Sequence, residues 1–182
     1  VFRIIPSTLG RREVYVDSTI SEKFGVRDYI YKEGDIMYQK GKTYEEINVG
    51  DKASFAKTIT ETDVYLFAGI SGDFNPLHVD EEYARGTEFK KRIAHGGLAA
   101  SLVANVLGMK LPGLGTVALE ITQKFRSPVY FGDTVTITAT VTKKIERMKL
   151  IEMSLLWTNQ RGDVVSKGSC KVIPPRKELQ II

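Results

Sequence analysis

The sequence predicts an α+β fold in which an antiparallel β-sheet wraps around one long buried helix. The first observation is the stretch from Gly96 to Met109, which has no charged residue and is apolar nearly all round its helical circumference. The stretch is too short to cross a bilayer, so we expect it to be buried within the protein. The second observation is that four successive segments after Thr116 alternate apolar and polar residues, as antiparallel strands with one face on a core do.

These strand-like segments are separated by short turn sequences. Residues 132–133 (Gly-Asp) and 159–163 (Asn-Gln-Arg-Gly-Asp) are typical of turns, and a Pro-Pro pair at 174–175 ends the pattern. The predicted strands therefore run over residues 117–125, 134–142, 151–157 and 164–173.

Shorter elements precede the apolar helix. Residues 53–59 predict a strand, and Thr60-x-x-Asp63 resembles a capping box that opens a helix. Gly72 is expected to end that helix, and Asp80 can cap a second, short helix from residue 81. The chain between the two helices is therefore a turn.

We divide the chain into an N-terminal extension of unknown role (1–42), a main domain (43–175) and a C-terminal tail (176–182). The extension is the least readable part. A helix-turn-helix would need three packed helices, whereas the pattern supplies one at most. Three short elements are indicated in it: extended segments at 1–5 and 13–16, and helical turns at 20–26.

Composition limits the class of protein. The chain is 42% hydrophobic and 26% charged, which is typical of a globular protein with a real core. Its net charge of +4 does not by itself indicate nucleic-acid binding, but suits a partner that carries phosphates. No apolar run is long enough to span a membrane. The single cysteine, Cys170, excludes an intramolecular disulfide and favours a reducing, cytoplasmic location; in a strand it is expected to be a buried hydrophobe.

The candidate catalytic groups lie in the turn Ser-Gly-Asp-Phe-Asn-Pro-Leu-His at 71–78. Asn75 precedes Pro76, which makes the segment rigid and non-helical. Asp73 and His78 are thus held five residues apart, a carboxylate and an imidazole in fixed geometry, as proton transfer requires. The same composition also suits a purely structural turn, because Asp and Asn side chains bond to nearby backbone amides.

Three motifs carry a family resemblance: Ser-Gly-Asp-Phe-Asn-Pro-Leu-His-Val-Asp at 71–80, Ile-Ala-His-Gly-Gly-Leu at 93–98, and Phe-x-x-Pro-Val-x-x-Gly-Asp at 125–133. Together they resemble the MaoC-like (R)-specific enoyl-CoA hydratases, which have the hotdog fold of a sheet around a central helix. The resemblance covers roughly Thr43 to Ile173. It implies reversible hydration of trans-2-enoyl-CoA to (R)-3-hydroxyacyl-CoA, a lyase reaction of fatty-acid metabolism.

The resemblance also implies roles for particular residues. Asp73 and His78 would hold the reacting water, with His78 accepting its proton and Asp73 protonating the α-carbon. The backbone N–H of Gly96, at the start of the central helix, would stabilise the thioester oxygen as it becomes an enolate. Asn75 would bond the water or fix the turn, of which we favour the turn, and His95 is expected to brace the turn before the central helix. No cofactor is expected beyond the CoA of the substrate.

The family further implies a homodimer or a higher homo-oligomer, with the acyl chain at the interface and the CoA phosphates against basic side chains. The candidates are Lys90, Lys91, Arg92, Lys124 and Arg126. No metal is expected, because the His and Asp spacings match no zinc template. The chain departs from the family at Ala104, where members often carry a serine. Ser101 lies about one helical turn earlier, and its ability to compensate is left open.

Two other functions fit a hotdog domain. An acyl-CoA thioesterase would use a carboxylate to direct water at the carbonyl and would not need the Asp73/His78 pair. A non-catalytic acyl-CoA-binding regulatory module would use residues 1–42 as an interaction arm. The intact pair favours the hydratase, because a protein that only binds acyl-CoA has no use for it.

Overall fold

A computed structural model describes residues 3–6, 12–15 and 41–176. The chain divides into two compact units, Val1–Gln39 and Lys40–Ile182. In the first, β1 (Arg3–Pro6) pairs antiparallel with β2 (Arg12–Tyr15), at the extended segments that the sequence predicted. The predicted helical turns at 20–26 lie outside the described residues.

The second unit contains a five-stranded antiparallel sheet with the strand order β3-β5-β6-β7-β4. Of its four pairs of neighbouring strands, two are also consecutive in sequence, β5 with β6 and β6 with β7. β3 and β4 form the two edges. The strands are β3 (Lys52–Thr58), β4 (Val117–Phe125), β5 (Thr134–Ile145), β6 (Leu150–Thr158) and β7 (Val164–Ile173).

The alternating pattern of the central strands matches their burial. The apolar residues of β5 and β6 that the sequence assigned to one face are all buried, and Trp157 is completely so. These residues are Val135, Ile137, Ala139, Val141, Ile151, Met153, Leu155 and Trp157. The polar residues between them point to the other face, so the sheet has one core-facing side.

Between β3 and the central helix lie α1 (Glu61–Ser71), α2 (Pro76–Val79) and α3 (Glu81–Gly86). The predicted capping box is present: the N–H of Asp63 donates to the Thr60 hydroxyl, and the N–H of Thr60 donates to the Asp63 carboxylate. Gly72 ends α1 in the left-handed region at φ 75°, as predicted. Within the described residues, no helix is long and apolar enough to cross a membrane.

The central helix comprises two segments, α4 (Gly96–Ser101) and α5 (Val103–Met109), whereas the sequence predicted one. The reason is local. The Ser101 hydroxyl donates to the carbonyl of Leu98 at 2.7 Å, and the N–H of Leu102 bonds to Ala99 instead of Leu98. Leu102 stays in the right-handed helical region, so the axis continues through the junction.

The prediction that this helix is buried on every side is wrong for the single chain. One side packs on the sheet, where α5 contacts β3 and β5, and is buried through Leu98, Leu102, Val103, Val106 and Leu107. The opposite side, with Gly97, Ser101, Ala104 and Met109, is exposed. The small uncharged residues there fit a surface that is covered by something beyond the described residues.

Edge strand β4 is also exposed along its length, although its alternation predicted one buried face. Ile121 and Phe125 lie opposite Cys170 and Ser166 of β7, which are both buried, so they point to the core side of the sheet. They nevertheless remain exposed, because α5 packs on β3 and β5 at the other end of the sheet.

Replacing Gly168 by alanine is expected to lower the free energy of unfolding by about 3 kcal/mol. A Cβ at this position of β7 would lie 1.9 Å from the backbone oxygen of Thr122, so β4 would have to move away from β7. Urea denaturation measures the loss. In the control Gly69→Ala, the new Cβ meets nothing within 4 Å on helix α1, and stability should be unchanged or rise by about 0.5–1 kcal/mol. Equal stability of the two variants would contradict the prediction.

Candidate active site

Asp73 lies in a turn that is tied together by its own side chains. The N–H of Asp73 donates to the Ser71 hydroxyl at 3.2 Å, and the N–H of Asn75 donates to Asp73 Oδ1 at 3.1 Å. Asn75 Oδ1 then accepts from the N–H of Leu77 at 3.0 Å and caps α2. Asn75 is thereby engaged as a turn and cap residue, and Asp73 keeps Oδ2 clear of the turn. The Asp73 side chain is half-exposed.

His78 is buried and held in one tautomer by the backbone. Its Nδ1 lies 2.8 Å from the carbonyl oxygen of Ile93. A carbonyl only accepts, so Nδ1 carries the proton and donates. In the neutral ring Nε2 therefore has no proton and can accept one. This nitrogen lies 4.0 Å from Asp73 Oδ2.

His95 contacts both the turn at Asp73 and the ring of His78. Its Nε2–H donates to the backbone oxygen of Asp73 at 2.8 Å, and its ring stacks on that of His78 with centroids 3.9 Å apart. The ring also contacts Phe67, at 5.1 Å between centroids. His95 is almost completely buried. These contacts hold the backbone of Asp73 and the ring of His78 in place.

Asp73, His78 and His95 offer ligand atoms that all lie within 4.8 Å of one another. Such a cluster could hold a metal ion, although the sequence spacing matches no zinc template. Nε2 of His95 already donates to a carbonyl, which leaves Asp73 Oδ2 and His78 Nε2 as the uncommitted pair that face each other. At 4.0 Å these two atoms are too far apart to bond directly. A water oxygen about 2.8 Å from each would meet them at roughly 90°, which suits a bridging water.

Gly96 is the first residue of α4, so its N–H has no acceptor within the helix. A Cβ there would lie 2.9 Å from the ring of Phe125, and one at Gly97 would lie 2.9 Å from the ring of Phe67. The sequence marked Gly96 as an open donor, but it gave no sign that Phe125 from β4 packs against it. Only the strand order, with β4 at the sheet edge, brings the two together.

Ser101 does not occupy the place of the missing serine. Its hydroxyl donates to the carbonyl of Leu98 within its own helix. Ala104, the position at which the family often has serine, is exposed on the uncovered side of the helix. The single donor of the Ser101 hydroxyl is therefore already engaged within the helix.

The five basic residues that the sequence analysis proposed as phosphate contacts lie in three different environments. Lys90 and Lys91 are exposed and line a cavity of about 420 Å³, together with Arg161 from the β6–β7 turn. Lys124 and Arg126 are exposed on either side of Phe125, the residue that touches Gly96.

Arg92 is different, because carboxylates already engage it. Its Nη2 lies 2.7 Å from Glu61 and its Nε lies 3.1 Å from Glu81, with the side chain only 16% exposed. Partial burial lowers the pKa of this guanidinium, but the hydrogen bonds to the two glutamates outweigh burial and raise the pKa above its ordinary value. This arrangement speaks against the predicted phosphate contact. No sequence signal linked Arg92 to glutamates 31 and 11 residues away.

Cys170 is buried in β7, and burial raises the pKa of its thiol to about 12. A thiol with such a pKa carries almost no thiolate at neutral pH and is a poor nucleophile. The prediction that Cys170 acts as a small buried hydrophobe is confirmed.

Comparison with known proteins shows which family this chain belongs to. Residues 45–158 match the model of the MaoC like domain. The (R)-specific enoyl-CoA hydratase of Rhodospirillum rubrum is 47% identical over 74% of this chain and 92% of that protein. The 3-hydroxybutyryl-CoA dehydratase of Methylorubrum extorquens is 40% identical over 74% of this chain and 85% of its own length.

The fold of the chain is also similar to that of a solved structure. The unliganded R-hydratase from Pseudomonas aeruginosa superposes with a TM-score of 0.72 at 38% identity. The match covers 75% of this chain and 88% of that one. The predicted hotdog fold, an antiparallel sheet with a central helix, is confirmed.

Proposed function

The chain belongs to the MaoC-like family, and from this premise we propose that it hydrates trans-2-enoyl-CoA reversibly to (R)-3-hydroxyacyl-CoA. One observation carries the assignment of the site: Asp73 Oδ2 and the bare Nε2 of His78 face each other across 4.0 Å. Syn addition of water needs one group to take a proton and another to give one, on the same side of the alkene. This pair supplies both.

The reaction proceeds through a water held between the two side chains. His78 Nε2 takes a proton from the water as its oxygen attacks the β-carbon, and the π electrons move toward the thioester carbonyl. The protonated Asp73 carboxyl then gives its proton to the α-carbon, and the carbonyl re-forms. A proton passed from His78 to Asp73 through the next water restores the pair. Dehydration follows the same steps in reverse.

Gly96 is proposed to stabilise the negative charge that develops on the thioester oxygen. Its N–H has no acceptor within the helix, and donors aimed at a developing oxyanion lower the barrier most effectively in a water-poor site. Phe125 packs against Gly96, but both are exposed in the single chain, so the partner subunit of the homodimer proposed below would have to exclude water from this donor. The substrate carbonyl would lie against Gly96, with its β-carbon toward Asp73 and His78.

We propose that the active protein is a homodimer, in which each copy covers the exposed side of the other's central helix. That side and the core-facing side of β4 are both exposed, and among the described residues the nine residues of β4 pair with β7 alone, which leaves the other backbone edge free. A second copy can satisfy all three at once through two-fold symmetry. Lys90, Lys91, Lys124 and Arg126 remain the proposed contacts for the CoA phosphates.

The test is to mix the protein with crotonyl-CoA and follow the enoyl absorbance and the free thiol together. A loss of enoyl absorbance without thiol release, giving (R)-3-hydroxybutyryl-CoA, is the expected result. Thiol release with the enoyl group intact would move the assignment to a thioesterase. If crotonyl-CoA and a longer enoyl-CoA both bind unchanged, the protein is an acyl-CoA-binding module.

A further inference from the structure

Arg92 connects the two helices on either side of the catalytic turn. Its guanidinium contacts Glu61 and Tyr65 on α1, the latter at 3.1 Å from Nη1, and Glu81 at the start of α3. The guanidinium carbon lies 4.8 Å from the centroid of the Phe131 ring. A planar group with several N–H donors in a fixed fork can hold all of these partners together.

The backbone of Arg92 leads directly to the group that orients His78. The next residue, Ile93, accepts the Nδ1–H of His78 at 2.8 Å and donates its own N–H to Leu77 at 3.4 Å. Ile93 also forms an isolated β-bridge with Tyr130, which links it to the segment between β4 and β5. The side chain of Arg92 therefore anchors the segment on which the tautomer of His78 depends.

The partners of Arg92 also determine where Asp73 lies. Asp73 follows the C-terminal end of α1, and Glu61 is the first residue of that helix. His78 lies in α2, and Asp80 joins α2 to α3, where Glu81 is the first residue. The ion pair with Glu61 thus holds the start of α1, the helix that leads to Asp73. The ion pair with Glu81 holds the start of α3, which directly follows the helix that carries His78.

We propose that Arg92 is a positioning residue that holds Asp73 and His78 at their working separation, and does not bind the phosphates of CoA. This inference rests on the proposed hydratase function and deepens it. The carboxylates of Glu61 and Glu81 are about half exposed, so they can hydrate when Arg92 is removed, and the fold should survive. The main loss is then in geometry, to which proton transfer is sensitive.

The kinetic test compares crotonyl-CoA with crotonyl-pantetheine, which lacks the nucleotide and its phosphates. Arg92→Ala should lower kcat about 10- to 100-fold on both substrates with little change in KM, because a displaced pair reacts slowly on either. Arg92→Lys should recover part of the loss, since one ammonium can bind one of the glutamates. The double variant Glu61→Gln, Glu81→Gln should lower kcat in the same way.

A phosphate contact would behave differently and would overturn the proposal. Arg92→Ala would then raise KM for crotonyl-CoA alone, and removing the two acidic side chains would lower that KM. The matched control is Arg85→Ala on α3, whose arginine pairs with Glu82 at the surface and should leave both constants unchanged.

A second readout needs no turnover. The chain has only two histidines, so ¹⁵N NMR with His95→Gln as the assignment aid can report the His78 ring in the unliganded protein. The Nδ1–H tautomer should dominate in the wild type and lose population in Arg92→Ala. An unchanged ring signal together with unchanged kcat would overturn the proposal. If the wild type hydrates no enoyl thioester, the proposed function fails, and the NMR result still decides whether Arg92 orients His78.

Discussion

Asp73→Asn and His78→Gln should each lower kcat for crotonyl-CoA hydration by about 10³-fold or more. General acid and base groups typically contribute 10²–10⁴-fold, and here each group also restores the other after a turnover. Asparagine keeps the size of Asp73 and can still accept from the N–H of Asn75, so the turn should keep its shape. It cannot give up and regain a proton. Steady-state rates measured by enoyl absorbance give the effect.

The double variant should be little slower than the slower single variant, because residues that act as a unit are not additive. Asp80→Asn is the control within the same segment. Asp80 caps α3 through the N–H of Tyr83 at 3.0 Å, a role that asparagine fills equally well, so kcat should not change. If Asp73→Asn keeps more than about a tenth of the wild-type kcat, Asp73 is not the acid proposed here.

The sequence predicts the sheet and the turn at residues 72–75 well because both depend on local rules. Strict alternation decides which face of β5 and β6 is buried, and Trp157 follows this pattern. The Asn-Pro break and the Gly72 stop define the turn that holds Asp73. These signals need only a few neighbouring residues.

Two features that the sequence did not reveal depend on distant contacts, and a third depends on a local bond. The exposed side of the helix at Ala104 looks buried from its composition, because the pattern does not reveal whether the same chain or another copy covers a surface. The division of the central helix is the local case: the Ser101 hydroxyl donates to the carbonyl of Leu98, and a count of apolar residues does not reveal this bond. Arg92 was grouped with its lysine neighbours, yet the fold gives it two glutamates. The exposure of Ala104 and the partners of Arg92 both follow from tertiary packing.

Ile121→Glu should convert the proposed homodimer into monomers. Ile121 is 46% exposed on the core-facing side of edge strand β4, where the interface is expected. Two-fold symmetry places the new carboxylate in the interface twice. An unpaired buried charge typically costs about 3–5 kcal/mol, so the dissociation constant should rise by at least about 10²-fold. Sedimentation velocity over a concentration series measures the change.

Leu156→Glu is the matched control, because Leu156 is 39% exposed but lies on central strand β6. It lies opposite Thr138 and Lys167, on the outer face of the sheet and away from the β4 edge. This variant should remain dimeric and active. The Ile121→Glu monomer should lose activity with the dimer, since the uncovered helix and Phe125 would then face water beside Gly96. A wild type that sediments as a monomer, or a monomeric variant with full kcat, would show that one chain completes its own active site.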